Sequence, residues 1–208
     1  MTLPTGKQVT PSRTLKAFSL SFGQGVATVM ALVSGMVMAR VLSQTQLATY
    51  RQTLLAYQVA IPLLSLGLTN GIYYFLPTEK VRVRGVVMDA MVMMVTMGLL
   101  YAIFIAVGGN HFLAQRFSNH AIANTLIYLA PLPIIMLPAG LLASVMVVQN
   151  QINKLTAYTV LTNFVLAVGI MATCLYWKTP ESMVLTKVGL GCGIGVLGIY
   201  LMFKVLPR

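Results

Sequence analysis

The sequence predicts an all-α, polytopic membrane protein, a bundle of six transmembrane helices. Three observations predict it. Of 208 residues, 58% are hydrophobic and only 8% are charged, and the mean hydropathy is +0.84. A soluble domain averages about 25% charged residues, so a chain this poor in charge cannot cover a water-facing surface, and lipid must be its solvent. Six segments approach or exceed the ~20 mainly apolar residues needed to cross the hydrocarbon core. None of them alternates as a barrel strand does, and satisfying the backbone in lipid then leaves helices.

The spans are expected at residues 17–39, 54–76, 86–107, 122–148, 157–177 and 183–203, with residues 1–16 as a cytoplasmic segment and 17–206 as the bundle. The connections are then about 14, 9, 14, 8 and 5 residues long. The first span follows Lys7, Arg13 and Lys16 as a secretory signal would. Its apolar run is longer than the 7–15 residues of a signal core, so it reads as a retained helix. It places Ala27, Ala31, Gly35 and Ala39 four apart, a small-residue face on which another helix can pack closely. It also carries a polar stripe of Ser21, Gln24 and Thr28, which should face protein or water.

The second span contains Pro62, and the fourth contains Pro131, Pro133 and Pro138 followed by Gly140. Each internal proline removes one backbone hydrogen bond, so these spans should kink or break. The third span carries Asp89 about one turn from its start, close to Arg82 and Arg84, where it is expected as an interfacial ion-pair partner. Further polar side chains within the spans are Gln58, Ser65, Asn70, Ser144 and Asn163. The last span repeats glycine at 189, 191, 193, 195 and 198, so Gly189 with Gly193 and Gly191 with Gly195 both fit small-xxx-small packing.

Charge gives orientation and excludes function classes. With both termini cytoplasmic, Lys7, Arg13, Lys16, Lys80, Arg82, Arg84, Lys154, Lys204 and Arg208 lie inside. Arg40, Arg51, Arg116, Lys178 and Lys187 lie outside, and nine against five obeys the positive-inside rule. This distribution accounts for the net charge of +11 without nucleic acid as a partner. The acids are Glu79, Asp89 and Glu181, in different segments, so no carboxylate pair is available for catalysis. Cys174 and Cys192 both fall in apolar stretches, and His111 and His120 are nine apart. That is no metal-ligand spacing, and nothing pairs a nucleophile with a base. The expectation is a non-enzyme without a cofactor or metal.

One stretch is more specific. Ala39-Arg40-Val41-Leu42-Ser43-Gln44-Thr45-Gln46-Leu47-Ala48-Thr49-Tyr50 resembles the "ARxLGPxxYGxY" loop after the first helix of Wzx-type polysaccharide and O-antigen flippases. These belong to the multidrug/oligosaccharidyl-lipid/polysaccharide exporter superfamily. The next span, from Leu64-Ser65-Leu66-Gly67-Leu68 to Tyr73-Tyr74-Phe75-Leu76-Pro77, is similar to the family's ending before a basic cytoplasmic loop. The match covers roughly residues 15–90, and beyond it only the hydropathy agrees. The family's Gly-Pro is Ser43-Gln44 here, and its following glycine is Ala48.

The resemblance implies one half, the amino-terminal lobe, of a two-lobed fold with about twelve to fourteen helices. The chain would then be a fragment, a truncated product or a half-size protein that dimerises. The implied function is translocation of a polyprenyl-diphosphate-linked oligosaccharide across the bacterial inner membrane by alternating access. The implied partners are the bilayer, the glycan carrier, and a second transporter half or a second copy. Arg40 and Arg51, with Lys80, Arg82 and Arg84 at the cytoplasmic mouth, would hold the diphosphate. Gln24, Gln58 and Asn70 would bind sugar hydroxyls, and Asp89 is the one candidate for ion coupling. Two other readings stand beside this one. One is a cation-coupled drug or metabolite exporter of the same superfamily, and the other is a non-transporting membrane assembly subunit.

Overall fold

A computed structural model describes residues 13–78 and 83–206. These residues form helices and turns, with nine α-helices that assemble into six candidate spans. The spans are Ser21–Val41, Gln44–Leu76, Val83–Arg116, the pair Ala121–Leu129 and Leu132–Val148, Ile152–Trp177, and Pro180–Val205. The all-α membrane bundle and its span positions agree with the sequence reading. The connections do not, and the differences have local causes.

Helix α1 (Arg13–Val41) starts before residue 17, so the expected boundary at 16 falls inside it. The 14-residue loop expected after it shrinks to Leu42 and Ser43, because α2 (Gln44–Ser65) begins about ten residues before the apolar run. A capping box starts it. Ser43 Oγ accepts from Gln46 N at 3.3 Å, and Gln46 Oε1 accepts from Ser43 N at 3.1 Å. Two of the amide protons that a helix start leaves unbonded are thereby satisfied. The turn between α1 and α2 is thus closed by Ser43 and Gln46.

Pro62 lies inside α2 without ending it. The break comes at Leu66 and Gly67, whose φ angles are +47° and +70°. Ser65 Oγ donates to the Pro62 carbonyl at 3.0 Å, which satisfies a group near the helix end. Helix α3 (Leu68–Thr78) completes the span. Helix α4 (Val83–Phe104) continues through a wide turn at Ile105–Gly109 into α5 (Asn110–Arg116). Much of the loop expected at residues 108–121 is therefore helical, and the bend is made by Gly108 at φ +128°.

The proline break expected in the fourth span is present. Helices α6 (Ala121–Leu129) and α7 (Leu132–Val148) meet at 51°, with Pro131 at the junction and Pro133 in the first turn of α7. Helices α8 (Ile152–Trp177) and α9 (Pro180–Val205) are unbroken. Helix α7 is the centre of the bundle and packs against α3, α4 and α9, while α1 lies along α8.

Two apolar clusters mark the ends of the bundle. Near Ser43, Leu42, Tyr50, Cys174, Met183 and Val184 pack together. At the opposite end, Ile72, Leu76, Val87, Val145, Met146 and Met202 do so.

The small-residue faces differ from expectation in an informative way. On α1 the packed face runs through Gly23, Val26, Met30, Ser34, Val37 and Val41, while Ala31 and Ala39 are exposed. The close approach is made at Gly23, where a Cβ would lie 2.7 Å from Thr156 Cγ2 of α8, while Ala27 and Gly35 are half-buried. On α9, Gly191, Gly195 and Gly198 are buried against α7 and α8, but Gly189 and Gly193 have nothing within 4 Å of an added Cβ among the described residues.

Candidate functional site

The polar side chains fall into three places. The first is the α1–α2 surface. Helix α1 makes few contacts with α2. The exposed residues Arg51, Leu55, Gln58 and Pro62 lie along one face of α2, and Gln24, Thr28, Ala31 and Ala39 are exposed on α1. Arg51 therefore sits in the second turn of a helix rather than in a loop. Its Nη2 lies 4.0 Å from where a Cβ on Gly35 would be, so the guanidinium rests against α1. Arg40 is exposed in the last turn of α1. The structure thus brings Arg40 and Arg51 to one end of the bundle and sets Gln58 further along the same face as Arg51.

The second place is a cleft where α1, α3, α7 and α8 converge. A chamber of about 180 Å³ is lined by Gln24, Tyr73, Thr156 and Thr159 among apolar neighbours. It shares Ala143, Leu155 and Thr159 with a second chamber of about 270 Å³, which reaches Tyr158, Thr162 and Ile194. The cleft exists because α7 and α8 touch little while both pack on α9. Thr156 and Thr162 donate to carbonyls of their own helix at 3.0 and 2.8 Å. Each hydroxyl proton is thus used, and the oxygen lone pairs remain to accept. Gln24 adds an amide that both donates and accepts. Such a lining can hydrogen-bond a polyhydroxyl group.

The third place lies on the other side of α3. Asp89 is exposed in a groove between α3 and α4. Asn70 is exposed in the first turn of α3, and Arg84 in the first turn of α4. Lys80 and Arg82 lie outside the described residues. Asp89 and Gln24 do not share a cavity, since Tyr73 of α3 faces the chamber with Gln24 while Gly71 and Phe75 line the groove with Asp89.

Span-internal polar residues divide between two roles. Ser144 donates across to the Thr69 carbonyl of α3 at 3.0 Å, which is interhelical bonding. Thr28, Ser65 and Asn163 bond within their own helices. Gln24, Gln58 and Asn70 are exposed and have no hydrogen-bond partner among the described residues.

One polar assembly escaped the sequence reading. Asn119, in the turn between α5 and α6, donates to Thr49 Oγ1 at 3.0 Å and Gln52 Oε1 at 2.9 Å, both on α2. Its own Oδ1 accepts from Ala121 N at 3.2 Å. Below it, the fully buried Thr53 contacts Thr125 Oγ1 at 2.6 Å. Both hydroxyls also donate to backbone, to Thr49 and Ile122. Two protons serve three contacts, so one backbone bond yields whenever the hydroxyls bond each other. The signal was available in Thr45, Thr49 and Thr53, spaced four apart ahead of the apolar run.

Asn119→Ala removes both bonds to α2. Amide hydrogen exchange at residues 49–53 and 117–123 should accelerate about fivefold, the effect of about 1 kcal/mol, while the rest of the bundle stays protected. Unchanged exchange in both segments would mean that the turn is held by packing alone.

Among the described residues, no group of three or more His, Cys, Asp or Glu could hold a metal ion. No protein-family model, curated protein or solved structure matches this chain.

Proposed function

We propose that this chain forms a lobe of a translocase for a polyprenyl-diphosphate-linked oligosaccharide, carrying the glycan head group across the bacterial inner membrane from the cytoplasmic side. One observation carries the reading. Gln24, Arg51 and Gln58 project from α1 and α2 without partners among the described residues, in a chain that is otherwise apolar. Polar side chains within a membrane span face protein or a water-filled cavity rather than acyl tails. A second lobe, or a second copy of this chain, across that surface would enclose a hydrated path.

The chemistry suits the cargo. A guanidinium offers a diphosphate bidentate, charge-assisted bonds, and the amides with the α7–α8 hydroxyls suit sugar. The lipid tail stays in the bilayer while the head group crosses. Two lobes rocking about this surface would give alternating access. The motif at residues 39–50 supports the same reading, with its arginine retained at residue 40.

The test is surface-glycan export in cells that lack their own flippase and express the full-length gene. Arg51→Ala should cut export at least about tenfold, the loss of one charge-assisted bond, and Arg51→Lys should recover part of it. In a background with Cys174 and Cys192 replaced, cysteines at 24 and 58 should react with membrane-impermeant thiol reagents. Full export by Arg40→Ala and Arg51→Ala, with both cysteines inert, would remove the proposal.

A further inference from the structure

The groove between α3 and α4 has a volume of about 350 Å³. Buried Ile72 and Ala90 form its floor, and Gly71, Phe75, Asp89 and Met93 stand along its walls. Two features distinguish it from an ordinary furrow between helices. The first is Gly71. Among the described residues a Cβ there would meet nothing closer than the ring of its own helix's Phe75, at 3.8 Å, so their packing does not require glycine. Glycine within a helix costs about 1 kcal/mol relative to alanine, and here the result is a wider groove. The second is Asp89. It is one of three acids in the chain, it is exposed, and it has no hydrogen bond or ion pair to another described residue.

Asp89 lies six residues into α4, about 9 Å along the axis at 1.5 Å per residue. The expected apolar run begins at Val86, so Asp89 stands about one turn into it, near the head groups. The groove opens sideways from an apolar bundle, so the bilayer supplies its occupant. A carboxylate accepts charge-assisted hydrogen bonds from a primary ammonium. We propose that the α3–α4 groove binds an amine-headed phospholipid, with the ammonium on Asp89 and an acyl chain against Gly71, Phe75 and Met93. The site is distinct from the α1–α2 surface and does not depend on the transport reading.

The experiment is native mass spectrometry of the full chain released from nanodiscs. The discs contain equal parts phosphatidylethanolamine, its mono- and dimethyl derivatives, phosphatidylcholine and phosphatidylglycerol. Retention should fall stepwise as N–H donors are lost, by about tenfold from phosphatidylethanolamine to phosphatidylcholine, a factor that corresponds to about 1.4 kcal/mol. Asp89→Asn should flatten the series, Asp89→Glu should keep it, and Gly71→Leu should lower retention of the amine lipid by filling the groove.

A flat series in the unsubstituted protein overturns the proposal without recourse to any variant. A preference that survives Asp89→Asn overturns it too. Displacement of the lipid by micromolar tetraphenylphosphonium would reassign the groove to soluble lipophilic cations.

Discussion

Gly98→Ala is expected to force α4 away from α7. A Cβ on Gly98 would lie 2.7 Å from Ile134 Cα, 2.8 Å from Ile134 N and 3.0 Å from the Pro133 carbonyl carbon. All three are backbone atoms in the first turn of α7, so no rotamer change relieves the clash. Pro133 fixes that turn further through its locked φ. The helices must separate, and the contact they share is the inward face of α4 through Ala90, Met94, Gly98 and Tyr101. Overpacking of this kind costs about 1–3 kcal/mol. The gain in helix propensity from glycine to alanine, about 1 kcal/mol, offsets part of it. The unfolding midpoint in detergent should therefore fall for Gly98→Ala and fall further for Gly98→Leu. Gly140→Ala is the control. Gly140 is exposed with nothing within 4 Å of a new methyl, so that variant should unfold at or above the parent midpoint. A Gly98→Ala protein as stable as the parent would show that α4 and α7 do not approach this closely.

Gly98 also marks what the sequence left illegible. The six spans could be read because a run of about 20 apolar residues is a local property. The bend between α6 and α7 could be read because Pro131 and Pro133 lie in the chain for anyone to see. The position of Gly98 opposite Ile134 is a long-range contact and has no local trace. The first connection was misjudged for a different reason. Residues 44–53 are too polar to look like a span, yet Ser43 and Gln46 cap them into a helix, so helix and hydrocarbon boundaries differ by about ten residues. The third connection was misjudged because Gly108 and Gly109 look like a loop, although they only bend a helix that continues to Arg116. Periodicity put Ser21, Gln24 and Thr28 on one stripe of the first span, and all three are exposed. It could not separate Asp89 from Gln24, because the separation is made by α3 standing between them.

The glycines of α9 give the other large effect, because two interleaved registers with the same sequence pattern have opposite surroundings. A Cβ on Gly191 would lie 2.8 Å from Leu132 Cδ1, and one on Gly195 would lie 2.6 Å from Ile135 Cγ2. Both glycines are buried on α7, while Gly189 and Gly193 are exposed with open space around them. Leucine at 191 and 195 must push α9 off the central helix, at about 1–3 kcal/mol for each site. It would also disturb Tyr158, which crosses from α8 to donate to the Ile194 carbonyl at 2.9 Å and lies against Gly198. The paired variant Gly191→Leu with Gly195→Leu should therefore lose most of its cooperative unfolding transition. Gly189→Leu with Gly193→Leu carries the same two changes in composition and should leave the unfolding free energy of the isolated chain within about 1 kcal/mol of the parent. Helix association in lipid depends on close packing at small residues rather than on apolar character, so register decides the outcome and hydrophobicity does not. Equal losses from both pairs would mean that α9 is rotated about its axis relative to the arrangement described here, with Gly189 and Gly193 turned toward the bundle.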